Sequence, residues 1–298
     1  MNLDRDQLAT LRAVIDAGTF DAAASALGIT PSAVSQRIKA LERRIGRVLV
    51  ARSKPVVATE AGEVLVRLAR ETALLEQDAS AELRLDDHAT AFATVPLAVN
   101  ADSLADWFLP AVAPVLVERR IVVDIHREDQ DRTARLLASG RVMAAVTSQR
   151  EPVAGCISTP LGSMVYRAAA TPEFVRRWFP DGADAASLAL APLVDFDHDD
   201  ELQTRFLRTA SRRALDPPRH FISGSGDFLQ AISLGLGWGM LLTSQLDRAA
   251  PGSFVELDPH GPGVSVPLYW QQWDLRSPLL DAVADAVIST ARVALGGR

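Results

Sequence analysis

The sequence predicts an α/β protein with a helical module at its N-terminus, one long connecting helix and a two-lobed body. Three observations predict it. Apolar residues recur at helical spacing between glycine stops over residues 4–45, strand-like and helix-like stretches alternate from 94 onward, and charge is split unevenly along the chain. The 298 residues carry 31 Lys plus Arg against 37 Asp plus Glu, a formal charge of −6. This length suggests about two domains with substantial cores. With 48% hydrophobic and 23% charged residues, the chain is globular rather than disordered.

Residues 1–60 hold nine basic and six acidic side chains, a sum of +3, which leaves −9 on the other 238 residues. Within 37–54, seven basic residues stand against one acidic. The acidic total therefore does not exclude nucleic acid as a partner; it describes a small basic module on an acidic body.

Residues 4–45 read as three short helices. The first, about 4–17, aligns Leu8, Leu11 and Ile15 and stops at Gly18. The second starts near Thr19, buries Phe20, Ala23, Ala24 and Leu27, and ends at Gly28. The third has Thr30 as N-cap and Pro31 at its first position, and Val34, Ile38, Leu41 and Ile45 form its buried stripe. Its opposite face presents Ser32, Ser35, Gln36, Lys39 and Arg43. A helix about 10–12 Å wide fits the DNA major groove, where Gln36 can read adenine and the serines can meet bases or phosphates. Lys39, Arg43 and Arg44 suit phosphates. A solvated helix face would show the same polar pattern; the helix–glycine turn–helix layout favours the DNA reading. Residues 47–59 alternate around Ser53–Pro55 as a two-stranded wing with Arg52 and Lys54 at its tip, which completes a winged helix-turn-helix.

Thr59 can cap a helix running from about 60 to 88. Leu65, Leu68, Thr72, Leu75 and Ala79 follow the 3-4 spacing of a coiled-coil seam, so the helix can dimerise the chain or pack on its own body. From 94, strands at 94–100, 121–128 and 142–148 alternate with helices at 103–118 and 130–140. Later strands fall near 164–170, 192–197, 219–223, 238–243 and 264–272, with helices near 199–213, 226–236 and 277–294. The alternation predicts a parallel sheet with helices on both faces.

Ligands of such folds sit at the carboxyl ends of strands, commonly between lobes. Those ends carry Asn100, Asp102 and Ser103, then Thr147, then Asp195, and then Asp227 beside a helix start. Several carboxylates and a helix N-terminus suit a cationic amino acid, the carboxylates taking its amino groups and the helix end its carboxylate. Helix capping is the ordinary alternative for Asp102, Ser103 and Asp227.

The run TFDAAASALGITPSAVSQRIKALERRIGRVLVARSKPVVATEAG (19–62) resembles the N-terminal domain of LysR-type transcriptional regulators. The resemblance implies a winged helix-turn-helix (1–59), a linker helix (60–90) and an effector-sensing domain (91–298) of the type 2 periplasmic-binding-protein fold. Lobe 1 would take about 91–161 and 266–298, and lobe 2 about 162–265. It also implies that Ser32, Ser35 and Gln36 face bases, that Arg52 is the wing arginine, and that the chain forms a homodimer or homotetramer on double-stranded promoter DNA, with RNA polymerase as a further partner. Thr30–Pro31–Ser32 departs from the family's commoner Thr-Gln-Pro order. VNADSLADWFLPAV (99–112) and LYWQQWDLRSPLLD (268–281) further resemble the ArgP/LysG branch, which implies a lysine or arginine effector and activation of an exporter gene.

Other signals lead nowhere. GLGWG (235–239) lies between a helix and a strand, the wrong order for a phosphate loop, and SGSGD (223–227) lacks nucleophile-elbow spacing. The single cysteine, Cys156, excludes an internal disulfide and a cysteine zinc cluster, and five scattered histidines have no metal spacing, so neither cofactor nor metal is expected. Without a leader-like start or an uncharged apolar run of about 20 residues, the expected location is the cytoplasm, with no membrane partner. A regulator, not an enzyme, is expected. The competing readings are a LysR-type regulator with another effector and a cytoplasmic α/β ligand-binding or enzymatic protein whose N-terminal helices only dimerise.

Overall fold

The computed structural model describes residues 3–51, 53–83, 92–127 and 130–296. The chain divides into two compact units. The first contains residues up to Asn100, Pro110–Thr159 and Tyr269–Ser289; the second contains Ala101–Leu109, Pro160–Leu268 and the segment from Thr290. The second unit thus includes 101–109, which the sequence reading placed in lobe 1.

The first unit begins with α1 (Arg5–Ala17), α2 (Phe20–Leu27) and α3 (Pro31–Ile45). Asp4, Thr19 and Thr30 cap them through side-chain oxygens, and Gly18, Gly28 and Gly46 end them at positive φ. Leu11, Val14, Val34 and Leu41 are fully buried in their shared core. β1 (Val50–Ala51) and β2 (Val57–Ala58) pair antiparallel as the wing. α4 (Glu60–Leu83) starts under Thr59, whose hydroxyl accepts from Gly62 N at 3.2 Å. The residues 84–88 expected to extend it lie outside the described set.

The seam expected on α4 is corrected in part. Leu65 is buried in the N-terminal core and Leu68 packs against it, whereas Leu75 and Ala79 are exposed. The stripe's first half therefore covers the module beside it. Spacing alone reports an apolar face, not which chain covers it.

The body continues with β3 (Ala93–Val99), α5 (Ala101–Ser103), a π turn (Leu104–Phe108), α6 (Leu109–Glu118), β4 (Ile121–Arg127), α7 (Gln130–Ala138), β5 (Ala144–Thr147) and β6 (Cys156–Ala170). Then come α8 (Pro172–Trp178), α9 (Ala185–Leu188), β7 (Leu193–Asp195), α10 (Leu202–Ala210), β8 (Arg219–Phe221), α11 (Ser225–Ser233), β9 (Gly239–Leu242) and α12 (Thr243–Arg248). β10 (Val255–Glu256), β11 (Val264–Trp273) and α13 (Pro278–Ala294) close the chain.

In the first unit β3 pairs parallel with β4 and β5, and the end of β11 pairs antiparallel with β5, Tyr269 opposite Thr147. In the second, β6 is antiparallel to β9 and β10, while β7 and β8 are parallel. The parallel pairing expected of the first series is found in β3, β4 and β5, while β11, β6, β9 and β10 add antiparallel neighbours that make the sheets mixed. A strand buried on both faces shows the same apolar run in either direction, so its pattern carries no sign.

Candidate functional site

Two arrangements carry the polar chemistry. The first is the outer face of α3. Ser32, Gln36, Lys39, Arg43 and Arg44 are exposed and Ser35 is half-buried, while Val34, Ile38 and Leu41 face the core. Thr30 is exposed, but its hydroxyl oxygen already accepts from Ala33 N at 3.2 Å. The one acid of this stretch is turned inward, where Glu42 Oε1 accepts from Leu49 N at 2.9 Å. Arg37 is tied to α1 through Asp6 at 3.1 Å and Thr10 at 3.4 Å, so it belongs to the module's packing. Gln7 and Arg47, not singled out from the sequence, line an open groove with Gln36, Lys39 and Arg43. Lys54 is exposed in the wing; Arg52 lies outside the described residues.

The second arrangement lies in the second unit around the π turn. Asp102 lies just before this i→i+5 turn and Asp106 at its middle, and both meet partners from distant strands and helices. Tyr166 Oη donates to Asp102 Oδ2 at 2.7 Å, and Ser225 Oγ donates to Oδ1 at 3.1 Å. Burial pushes the Asp102 carboxyl above the usual carboxylate range; the two hydrogen bonds oppose the rise, and Asp200 and Asp106 add to it. Burial and the neighbouring Asp102 hold the Tyr166 phenol well above its ordinary value, so it stays a donor. Asp200, whose oxygens accept from Phe196 N and Leu202 N, is also raised, first by burial. Asp106 accepts from Ser244 Oγ at 2.9 Å and pairs with Arg248 at 2.7 Å.

Two residues chosen from the sequence need correction. Ser103 is fully buried and its hydroxyl points to Met164 Sδ at 3.7 Å, so it faces packing rather than open space. Asp195 is 1% exposed and its charge is met by Arg219 at 2.7 Å. Asp227 is exposed in the first turn of α11. Asn100 and Thr147 belong to the first unit, where Asn100 Oδ1 is buried without a hydrogen-bond partner and Thr147 Oγ1 accepts from Gln149 N at 3.2 Å. Tyr166, Ser244 and Arg248 were missed because they lie far from the Asp102 segment in sequence.

A winged helix-turn-helix with a basic outer face, followed by a two-unit α/β body with buried carboxylates, defines a helix-turn-helix regulator joined to a ligand-binding body. The family pattern of bacterial regulatory helix-turn-helix proteins of the LysR family matches residues 5–63, and that of the LysR substrate binding domain matches 95–292. The chain belongs to the LysR family of transcriptional regulators.

Within that family it falls in the LysG/ArgP branch. It is 48% identical over 295 residues to the transcriptional regulator LysG of Mycobacterium tuberculosis, covering 97% of this chain and 94% of that one. It is 38% identical over 289 residues to ArgP of Pseudomonas aeruginosa, covering 97% and 96%. Among solved structures, ArgP from Mycobacterium tuberculosis matches with a TM-score of 0.86 at 46% identity, covering 97% of this chain and 98% of that one. Full-length LysG from Corynebacterium glutamicum with bound effector Arg matches with a TM-score of 0.77 at 38% identity and the same coverage. These relatives are regulators, which sets aside the enzymatic alternative.

Proposed function

We propose that this regulator responds to a basic amino acid, L-lysine or L-arginine, and activates an amino-acid exporter gene from double-stranded promoter DNA in the cytoplasm. The observation that carries the effector reading is the half-buried pair Asp102 and Asp106 beside Asp200. Among the described residues, Arg248 pairs with Asp106, while burial raises the proton affinity of Asp102 and of Asp200, and Asp200 adds to the rise at Asp102. Such a group is favoured by a ligand that brings positive charge. The effector-bound relative supports the choice, because its ligand is arginine.

Asp102 is the main effector contact in this reading, with Asp227 as an outer candidate in the same unit; Asn100 and Thr147 are separate candidates in the first unit. Ser32, Ser35 and Gln36 read bases, while Lys39, Arg43, Arg52 and Lys54 hold phosphates and Thr30 sets the start of the helix. The domains are 1–59, 60–90 and 91–298, and the working form is a homodimer or homotetramer that engages RNA polymerase. Effector binding acts by favouring one assembly over another, since equal affinity for both would shift nothing.

Calorimetry of the full-length protein with L-lysine, L-arginine and acidic or aromatic amino acids tests the effector. Heat with a basic amino acid alone is expected. Binding of an acidic or aromatic amino acid instead would mean a regulator with a different effector. Binding to its own upstream DNA no tighter than to random DNA would remove the promoter assignment.

A further inference from the structure

Asp106 is held on both oxygens by α12, with Ser244 on Oδ2 and Arg248 on Oδ1. The ion pair is lopsided. The Asp106 side chain is 11% exposed and that of Arg248 is 60% exposed. Although Arg248 Nη1 lies 2.7 Å from Oδ1, no N–H is aligned on that buried oxygen, which has no hydrogen-bond partner. Arg248 and Ser225 line the same cavity of about 620 Å³ in the second unit, a size suited to a small molecule. Ser225 is the residue whose hydroxyl holds Asp102. Neither carboxylate lines the cavity itself, but each is touched by a residue of its wall, Asp102 by Ser225 and Asp106 by Arg248.

We propose that Arg248 is a resident counter-ion of the effector site, displaced from Asp106 when the cationic side chain of the ligand arrives. The inference rests on the basic-amino-acid reading above and adds how that site is regulated. A carboxylate with so little exposure is favoured by a cation beside it. Arg248 supplies one, and because most of its side chain is already in water it can leave at little cost. Ser244 stays with Asp106 throughout.

The exchange conserves charge at Asp106, one cation replacing another. It therefore favours a ligand with a cationic side chain over a neutral amino acid, which has no charge to take the place of Arg248 on Asp106. A basic amino acid also brings a second cation, its α-ammonium, which matches the second carboxylate, Asp102. Because Arg248 is tethered, it competes at high local concentration and raises the level of free amino acid needed for occupancy.

The test is calorimetry of the full-length protein with L-arginine and L-lysine, in wild type, Arg248→Ala, Arg248→Lys, Asp106→Asn and the Arg248→Ala/Asp106→Asn double variant. Loss of the competitor should tighten binding roughly two- to five-fold in Arg248→Ala, the scale of a partly exposed ion pair. Arg248→Lys should keep wild-type affinity, Asp106→Asn should weaken binding, and the double variant should lose the gain. If Arg248→Ala melts early, Arg248→Gln gives the same readout. Unchanged or weaker binding in Arg248→Ala or Arg248→Gln overturns the proposal, as does a gain that persists with Asp106→Asn. If wild type binds neither amino acid, the basic-effector reading fails and the exchange with it; if wild type binds and Arg248→Ala shows no gain, the exchange alone fails.

Discussion

Tyr166 Oη donates to Asp102 Oδ2 at 2.7 Å, bridging β6 and the first turn after β3. Burial raises the proton affinity of Asp102; this bond and that of Ser225 oppose the rise without cancelling it. Between the ordinary carboxylate value and the raised one, the folded protein keeps a proton that the unfolded chain has lost. Effector-free stability therefore falls as pH rises through that window and levels off above it. Asp200 contributes with the same sign.

A cationic effector favours the ionised carboxylates, so its binding releases protons. Affinity should rise with pH just above the usual carboxylate range and then become flat. Calorimetry in two buffers of different ionisation enthalpy measures the protons released. Asp102→Asn should weaken binding by about tenfold or more, the effect of losing a charge-assisted contact, and should reduce proton release. An affinity independent of pH from the ordinary carboxylate range up to neutrality would contradict this account.

On the DNA side, Gln36 and Arg43 should fail differently. Gln36→Ala should change the ranking of operator variants, by about 1–3 kcal/mol at the base it reads. Arg43→Ala should weaken every sequence alike and lower the slope of log affinity against log salt by about 1. Binding assays over a salt series with single-base operator variants separate the two. A uniform loss with Gln36→Ala would remove it from base reading.

Arg70, on α4, is 6% exposed and joins Asp16 of α1 to the carbonyl of Gly140. Burial lowers its proton affinity and Asp16 opposes that effect. Gly140 has φ +70°, and a Cβ there would stand 2.7 Å from Arg67 Cβ and 2.8 Å from its Cα. Gly140→Ala should destabilise the first unit by about 2 kcal/mol or more, through strain and a clash with helix backbone. Arg70→Met, which keeps the buried stem, should be less harmful than Arg70→Ala. Thermal melts of the three variants provide the comparison, and a Gly140→Ala protein melting like wild type would contradict the close approach.

Cys156 is half-buried, and burial pushes its thiol up to about 11, with Arg67 opposing. At pH 7 only about one part in ten thousand is thiolate. The folded protein should therefore resist iodoacetamide at neutral pH and react after denaturation. Rapid labelling of the native form would reopen a redox role.

The helical module was legible because its starts and stops are local: Thr19, Thr30, Gly18 and Gly28 act within a few residues of themselves. The order of strands and helices was legible for the same reason. Strand direction was not, since the patterns of β5 and of the end of β11 read alike whichever way the strands point. Leu65 illustrates another limit, because a stripe at 3-4 spacing looks the same whether its cover is a second chain or the next helix. Asp102 could be chosen from its place after a strand. Its partners Tyr166 and Ser225 are separated from it by 64 and 123 residues, and no local pattern joins them. Ser103 and Asp195 met the same local criterion and turned inward, because position at a strand end does not report burial.

The π turn at Leu104–Phe108 holds more chain in one turn than an α-helix would. Removing a single residue there would let the segment relax into ordinary helix rather than break it. The flanking segments would keep nearly the same bearing, because the wide turn and the ordinary turn each come round once; what would change is which side chains stand in that turn beside Asp102. The cast of the turn is thus partly a count of residues. A scan of substitutions would leave that count untouched, and only insertions and deletions would reveal it.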